Sequence, residues 1–167
     1  VRFATEALRL RGAEEAAAAN ARFLREVVQP AIRQPALDLL RAHRDAGDLV
    51  LIITATNEFV TRPIAELLGV PELVAVELER GPDDWFTGEI RGIPSMREGK
   101  VQRMEQWLAA RGLSWGAVHS TFYSDSMNDL PLLERVDVPV ATNPDARLRA
   151  IAAQRGWRIL DLFAGTP

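Results

Sequence analysis

Residues 49–53 read Leu-Val-Leu-Ile-Ile, an unbroken apolar run with Gly47-Asp48 before it and Thr54-Ala55-Thr56-Asn57 after it. A strand with one wet face alternates apolar and polar residues, whereas an unbroken run of this length describes a strand covered on both faces. The run is followed at once by a helical pattern over residues 59–68. A fully buried strand feeding directly into a helix is the building unit of a parallel sheet, and it directs the chain to the α/β class.

The rest of the chain repeats the alternation. Pro35 stands at the first turn of a helix over residues 36–46, which Gly47 stops. Residues 73–78 read as a strand and residues 85–93, with Gly81-Pro82 ahead of them and Gly88 inside, as a small hairpin. An amphipathic helix over 98–111 sets Val101, Met104 and Leu108 on one face and ends at Gly112. A strand over 118–123 then delivers Asp125, followed by a helix at 129–135, a strand at 138–141, a helix at 145–155 and a last strand at 157–160. Residues 2–29, rich in Ala, Leu, Glu and Arg, predict one or two helices, and Pro30 and Pro35 suggest a domain edge at 30–34. The whole predicts a doubly wound, mostly parallel sheet with helices on both faces.

Composition narrows the function. The chain of 167 residues is long enough for one core, and its net charge of -3 arises from 20 basic residues scattered among 23 acids. No basic stripe marks a nucleic-acid surface. The four tryptophans, Trp85, Trp107, Trp115 and Trp157, are dispersed and read as packing residues. With no cysteine, disulfides, thiolate metal sites and cysteine nucleophiles drop out, and a cytoplasmic setting is expected. No apolar run approaches the roughly 20 residues of a membrane-spanning helix. His43 and His119 stand without partners at metal-ligand spacing and are read as structural.

In an open parallel sheet, ligands bind beyond the carboxyl ends of the strands. Three polar positions fall there. Thr54 follows the apolar run, and its hydroxyl, with the backbone N–H groups near Ala55, suits an anion at a helix start; a plain helix cap is the competing reading. Lys100 opens the amphipathic helix, where an ammonium can meet a phosphate as a point charge or simply solvate a surface. The run Asp125-Ser126-Met127-Asn128-Asp129 crowds two carboxylates and an amide where strand becomes helix, with Asp129 expected one helical turn beyond Asp125. Magnesium takes oxygen ligands, keeps several waters and needs only one or two carboxylates.

As a set, Thr54, Lys100 and Asp125-x-x-Asn128-Asp129 resemble the later motifs of the haloacid dehalogenase-like hydrolases, specifically the phosphoserine-phosphatase-like branch. Gly47-Asp48, Thr54-Ala55-Thr56, Gly99-Lys100 and Asn143-Pro144-Asp145 extend the likeness, which covers about residues 36–162. The resemblance implies a magnesium-dependent phosphomonoester hydrolase acting on a small phosphorylated metabolite through an aspartyl-phosphate. Thr54 would hydrogen-bond the phosphoryl group and Lys100 would neutralise it. Ala55 and Asn128 would contact the phosphate side, Asp125 would ligate Mg2+, and Asp129 would complete or support the metal shell. Residues 1–33 would be the end of a helical cap, and 34–167 the phosphatase core.

The family's first motif, Asp-x-Asp, supplies the aspartate nucleophile and lies on the central strand; no Asp-x-Asp occurs in this chain, and Asp83-Asp84 are adjacent. Without that carboxylate a covalent intermediate cannot form, so the chain by itself is expected to lack turnover. The expectation is a core lacking its first strand, part of a longer active polypeptide. The alternative is an inactive phosphate-binding or regulatory relative. A phospho-acceptor receiver domain is set aside by chain order, since it would require the acids first and the lysine last. The substrate and the oligomeric state stay open.

Overall fold

The computed structural model describes residue 10 and residues 12–163, so the helical expectation over residues 2–9 and 11 lies outside the described residues. The chain divides into two compact units, Val1–Pro94 and Ser95–Pro167. Three of the four strand pairings are parallel, and the fold is α/β with mostly parallel sheets.

In the first unit, helix α1 (Ala13–Phe23) continues through a π-helical stretch, Leu24–Val28, and a last turn, Gln29–Ala31. The π register sits just before Pro30, whose ring nitrogen cannot donate to the preceding turn. Asn20 Nδ2 ties this helix to the Phe59 carbonyl at 2.8 Å. Helix α2 (Gln34–Asp45) has Pro35 in its first turn and is followed by Gly47 at φ 81. Then come β1 (Leu51–Asn57), α3 (Glu58–Leu67), β2 (Glu72–Arg80) and β3 (Phe86–Arg91), forming a sheet in the order β1-β2-β3.

Two segments differ from the expectation. The strand expected to be buried on both faces over 49–53 instead starts at Leu51, and Leu49 is 62 % exposed; residues 51–54 are half-buried and Ala55 and Thr56 exposed. The reason is topological: among the described residues β1 is the edge of its sheet, so one side of its backbone ladder has no strand to cover it. The hairpin expected inside 85–93 is made differently. Residues 86–91 form one strand, whose antiparallel partner is β2, with Glu77 opposite Arg91 and Arg80 opposite Phe86. The turn between them closes through Gly81 N–H to the Trp85 carbonyl at 2.8 Å, with Asp84 at φ 58. Phe59, Trp85 and Phe86 pack edge to face or tilted at centroid distances of 4.7–5.9 Å over this sheet.

In the second unit, α4 (Glu98–Ala109) precedes β4 (Thr121–Ser124), a 3-10 turn (Met127–Asp129), α5 (Leu130–Leu133), β5 (Val138–Thr142), α6 (Ala146–Arg155) and β6 (Arg158–Leu160). The sheet is all parallel in the order β4-β5-β6, leaving β4 as an edge. Its core is Leu133, Ala141, Leu148 and Ala152, none with measurable exposure, flanked by Phe122, Met127, Trp157 and Ile159. Asp145 caps α6, accepting the Leu148 N–H at 2.8 Å, and Gly156 ends it at φ 67. Among the described residues no helix is long and apolar enough to cross a membrane.

Candidate functional site

Helix α4 carries its buried residues at positions 100, 104 and 108. That four-residue spacing is one face of a helix. The buried stripe is therefore Lys100, Met104 and Leu108, and Val101, expected on it, is half-buried beside it. A lysine on an apolar stripe must meet an acceptor, because an unpaired buried ammonium is far costlier than a buried methylene chain. Lys100, 5 % exposed, meets it in Asp129, whose Oδ1 lies 2.5 Å from Nζ. The ammonium also stands 5.7 Å from the centre of the Phe122 ring.

Asp129 is itself only 8 % exposed, and its second oxygen accepts the Ser124 hydroxyl at 2.7 Å. The Ser124 oxygen in turn accepts the Ser126 N–H at 3.1 Å, and Ser126 Oγ accepts the Asn128 N–H at 3.2 Å. These bonds shape the turn. Asp125 and Ser126 lie outside regular structure and residues 127–129 wind as a 3-10 turn, so Asp125 and Asp129 are not one α-helical turn apart as expected. The local serine bonds compete with helical geometry and delay its start. Asp129 points inward to Lys100; Asp125 and Asn128 are exposed. Among the described residues the Asp125 carboxylate has no hydrogen-bond or ion-pair partner, and no group of three or more His, Cys, Asp or Glu forms a metal cage.

The first unit holds the other two candidates, Thr54 and Ala55. Between Ile53 and Asn57, four residues of β1 advance against two of β2, since Ile53 faces Val74 and Asn57 faces Val76. Thr54-Ala55-Thr56 therefore bulge out of the ladder, a device that re-aims side chains at the ends of strands. Thr54 Oγ1 accepts the Thr56 N–H at 3.1 Å. Helix capping falls to Asn57, whose side chain accepts the Val60 N–H at 3.1 Å while its carbonyl accepts the Thr61 hydroxyl at 2.9 Å. Thr54 is not the cap of α3.

Ser124 is absent from the candidate residues read from the sequence, although a serine ending an apolar strand one position before the acid is a visible signal. Arg97, at φ 52 and ψ -127 immediately before α4, holds a backbone conformation rare for a side-chain-bearing residue, and only the folded chain shows it. His43 lies 2.7 Å from Asp48, and His119 lies 3.9 Å from Asp137. Ser120 gives Asp137 both its backbone N–H and its hydroxyl at 2.8 Å, and these bonds, the backbone one foremost, hold that carboxyl below its ordinary range.

The end of β4 thus combines a fixed buried cation with an exposed carboxylate, the charge pattern needed to hold an anion beside a hard metal ion. Residues 1–134 match the model of the haloacid dehalogenase-like hydrolases. A histidinol-phosphatase of Neisseria meningitidis serogroup C (strain 8013) is 44% identical over 89% of this chain and 67% of its own length. A phosphoserine phosphatase of Mycobacterium tuberculosis (strain ATCC 25618 / H37Rv) is 38% identical over 81% of this chain, which spans only 43% of that relative. Among solved structures, a protein of unknown function from Bordetella pertussis Tohama I superposes with a TM-score of 0.93 at 48% identity, covering 97% of this chain and 73% of that one. A phosphoserine phosphatase in a phospho-aspartyl intermediate analogue form, at 18% identity and a TM-score of 0.55 over 75% of this chain and 56% of that one, shares the fold. The chain belongs to the haloacid dehalogenase-like hydrolases, on the branch resembling phosphoserine phosphatase.

Proposed function

We propose that the whole protein is a magnesium-dependent phosphomonoester hydrolase of the cytoplasm that cleaves a small phosphorylated metabolite through an aspartyl-phosphate. The observation that carries the reading is the buried Lys100–Asp129 pair at the end of the same strand that presents the unpartnered Asp125 carboxylate. Phosphoryl transfer asks mainly for positioning and charge stabilisation. Lys100, with one of its three protons directed to Asp129, has donors left for a phosphoryl oxygen. In the first unit Thr54 does not cap α3 and Ala55 is exposed, and in the second unit Asn128 is exposed; by the family resemblance the Thr54 hydroxyl, Ala55 and Asn128 would contact the phosphate.

Asp125 would hold Mg2+, and its donor type fits, since magnesium prefers carboxylate oxygen and completes its shell with water and substrate. When bound, the ion neutralises developing negative charge on the phosphoryl group. Both oxygens of Asp129 are engaged by Lys100 and Ser124, which favours a supporting role for it over direct ligation. The nucleophile belongs, in this reading, to a segment outside these residues. The edge positions of β1 and β4 support it, since each has an unfilled side on which a further strand can pair. A cap preceding residue 34 would close over the substrate.

The relatives' names direct the choice of substrate: histidinol phosphate and phosphoserine are both phosphate monoesters of amino alcohols. The test is phosphate release by the full-length protein from these two and a wider panel, with magnesium and with a chelator. Hydrolysis that needs magnesium is the expected result. Phosphate binding without turnover would mark the inactive relative instead, and the absence of both binding and turnover would overturn the reading.

A further inference from the structure

The hydroxyl of Ser124 bonds to both Asp129 and the turn that carries Asp125. It is 8 % exposed, and it spends its single proton on Asp129 Oδ2 while its lone pairs receive the Ser126 N–H. A carboxylate held by one oxygen can turn about its last torsion, which is broad and two-fold. Asp129 is held by both, one on Lys100 and one on Ser124, so the plane of the carboxylate is set and with it the place of the ammonium. In the other direction, the Ser126 N–H bond shapes the turn on which Asp125 sits, one residue after the hydroxyl. A buried network of this kind is worth more than its separate bonds only when every member is satisfied.

From this geometry we infer that Ser124 is a positioning residue for phosphate: its hydroxyl orients Asp129 so that Lys100 presents its remaining donors to the bound anion. The inference rests on the reading of this site as a phosphatase centre. It predicts that the hydroxyl affects affinity for the anion, measurable without any turnover. A serine that merely fills space at a strand end would affect only stability.

The experiment uses the full-length protein with inorganic phosphate as the probe. Calorimetric Kd for phosphate, KM and kcat on an active ester, and thermal midpoint are measured for wild type, Ser124→Ala and Ser124→Thr. Losing a hydrogen bond to a charged group is expected to weaken phosphate binding and raise KM about tenfold in Ser124→Ala, with a smaller change in kcat, and Ser124→Thr is expected to recover most of it. An unchanged phosphate Kd in Ser124→Ala, or a weakened one that a folded Ser124→Thr fails to restore, overturns the inference. Should Ser124→Ala not fold, Ser124→Cys, close in size but a weak donor, serves the same purpose, and a wild-type Kd in it is equally fatal. Wild type that neither binds nor releases phosphate brings down the functional reading itself, an outcome distinct from a normal wild type with an indifferent Ser124.

Discussion

The carboxyl ends of β1 and β4 are built on opposite principles. Both strands are sheet edges and both end in small polar residues. At β4 the polar groups are buried and mutually dependent: Ser124, Asp129 and Lys100 each satisfy the next. At β1 the bulge residues Thr54, Ala55 and Thr56 are half-buried or exposed, and Thr54 and the buried Asn57 serve local backbone N–H groups. Removing a partner at β4 leaves a buried charge unpaired; at β1 the groups left behind are neutral, so the loss is smaller. Stability is therefore expected to depend on side-chain partners more strongly at the β4 end than at the β1 end.

The largest expected effect tests whether chemistry lives at β4. In the full-length protein, Asp125→Asn and Lys100→Ala should each lower magnesium-dependent phosphatase turnover by about 10²–10³-fold, and Asp125→Asn should leave the thermal midpoint in place because that side chain is exposed without a partner. Wild-type rates from Asp125→Asn would remove the metal assignment. Next, Asp129→Ala should cost about 3–5 kcal/mol in urea unfolding, since it leaves a buried ammonium unpaired, while Thr54→Ala should cost under about 1 kcal/mol yet reduce kcat/KM about tenfold. If the two variants destabilise alike, the contrast between the strand ends is gone.

Smaller effects refine it away from the site. Asn57→Ala in the first unit and Asp145→Ala in the second remove comparable helix caps, and each should lower stability by about 1 kcal/mol. Smallest is an acid dependence carried by Asp137, whose carboxyl the Ser120 N–H and hydroxyl hold below its ordinary value. A depressed folded-state pKa contributes stability that is fully present above the unfolded value, near pH 4, and is lost as pH falls through the folded one. Urea melts of wild type and Asp137→Asn from pH 5 downward should converge as acid is added, and parallel curves would show that the carboxylate is indifferent.

Much of the architecture was legible in local pattern. Pro35 and Gly47 bracket α2 as expected, and the strands at 73–78, 138–141 and 157–160 appear with ends shifted by only a few residues. The misreadings share a cause. The run at 49–53 looked buried on both faces because apolar content reports what a strand can bury, and it says nothing about which neighbours are there to bury it. Residues 85–93 looked like a hairpin of their own because the strand before Gly81-Pro82 is as near in sequence as any internal turn. Lys100 and Asp129 were legible as members of a motif set, yet their contact joins residues 29 positions apart, and Ser124 gains its meaning only from that contact.

By itself the amino-acid order determined the class of fold and the alternation of strand and helix, because periodicity and short-range spacing are properties of neighbours along the chain, while the family followed from the resemblance of the late motifs to those of known hydrolases. Tertiary structure alone decided that Lys100 is buried, that Asp129 turns inward while Asp125 faces solvent, and that β1 bulges at Thr54. Those outcomes depend on which groups are brought together across the fold, where the cost of an unpaired buried charge selects the arrangement.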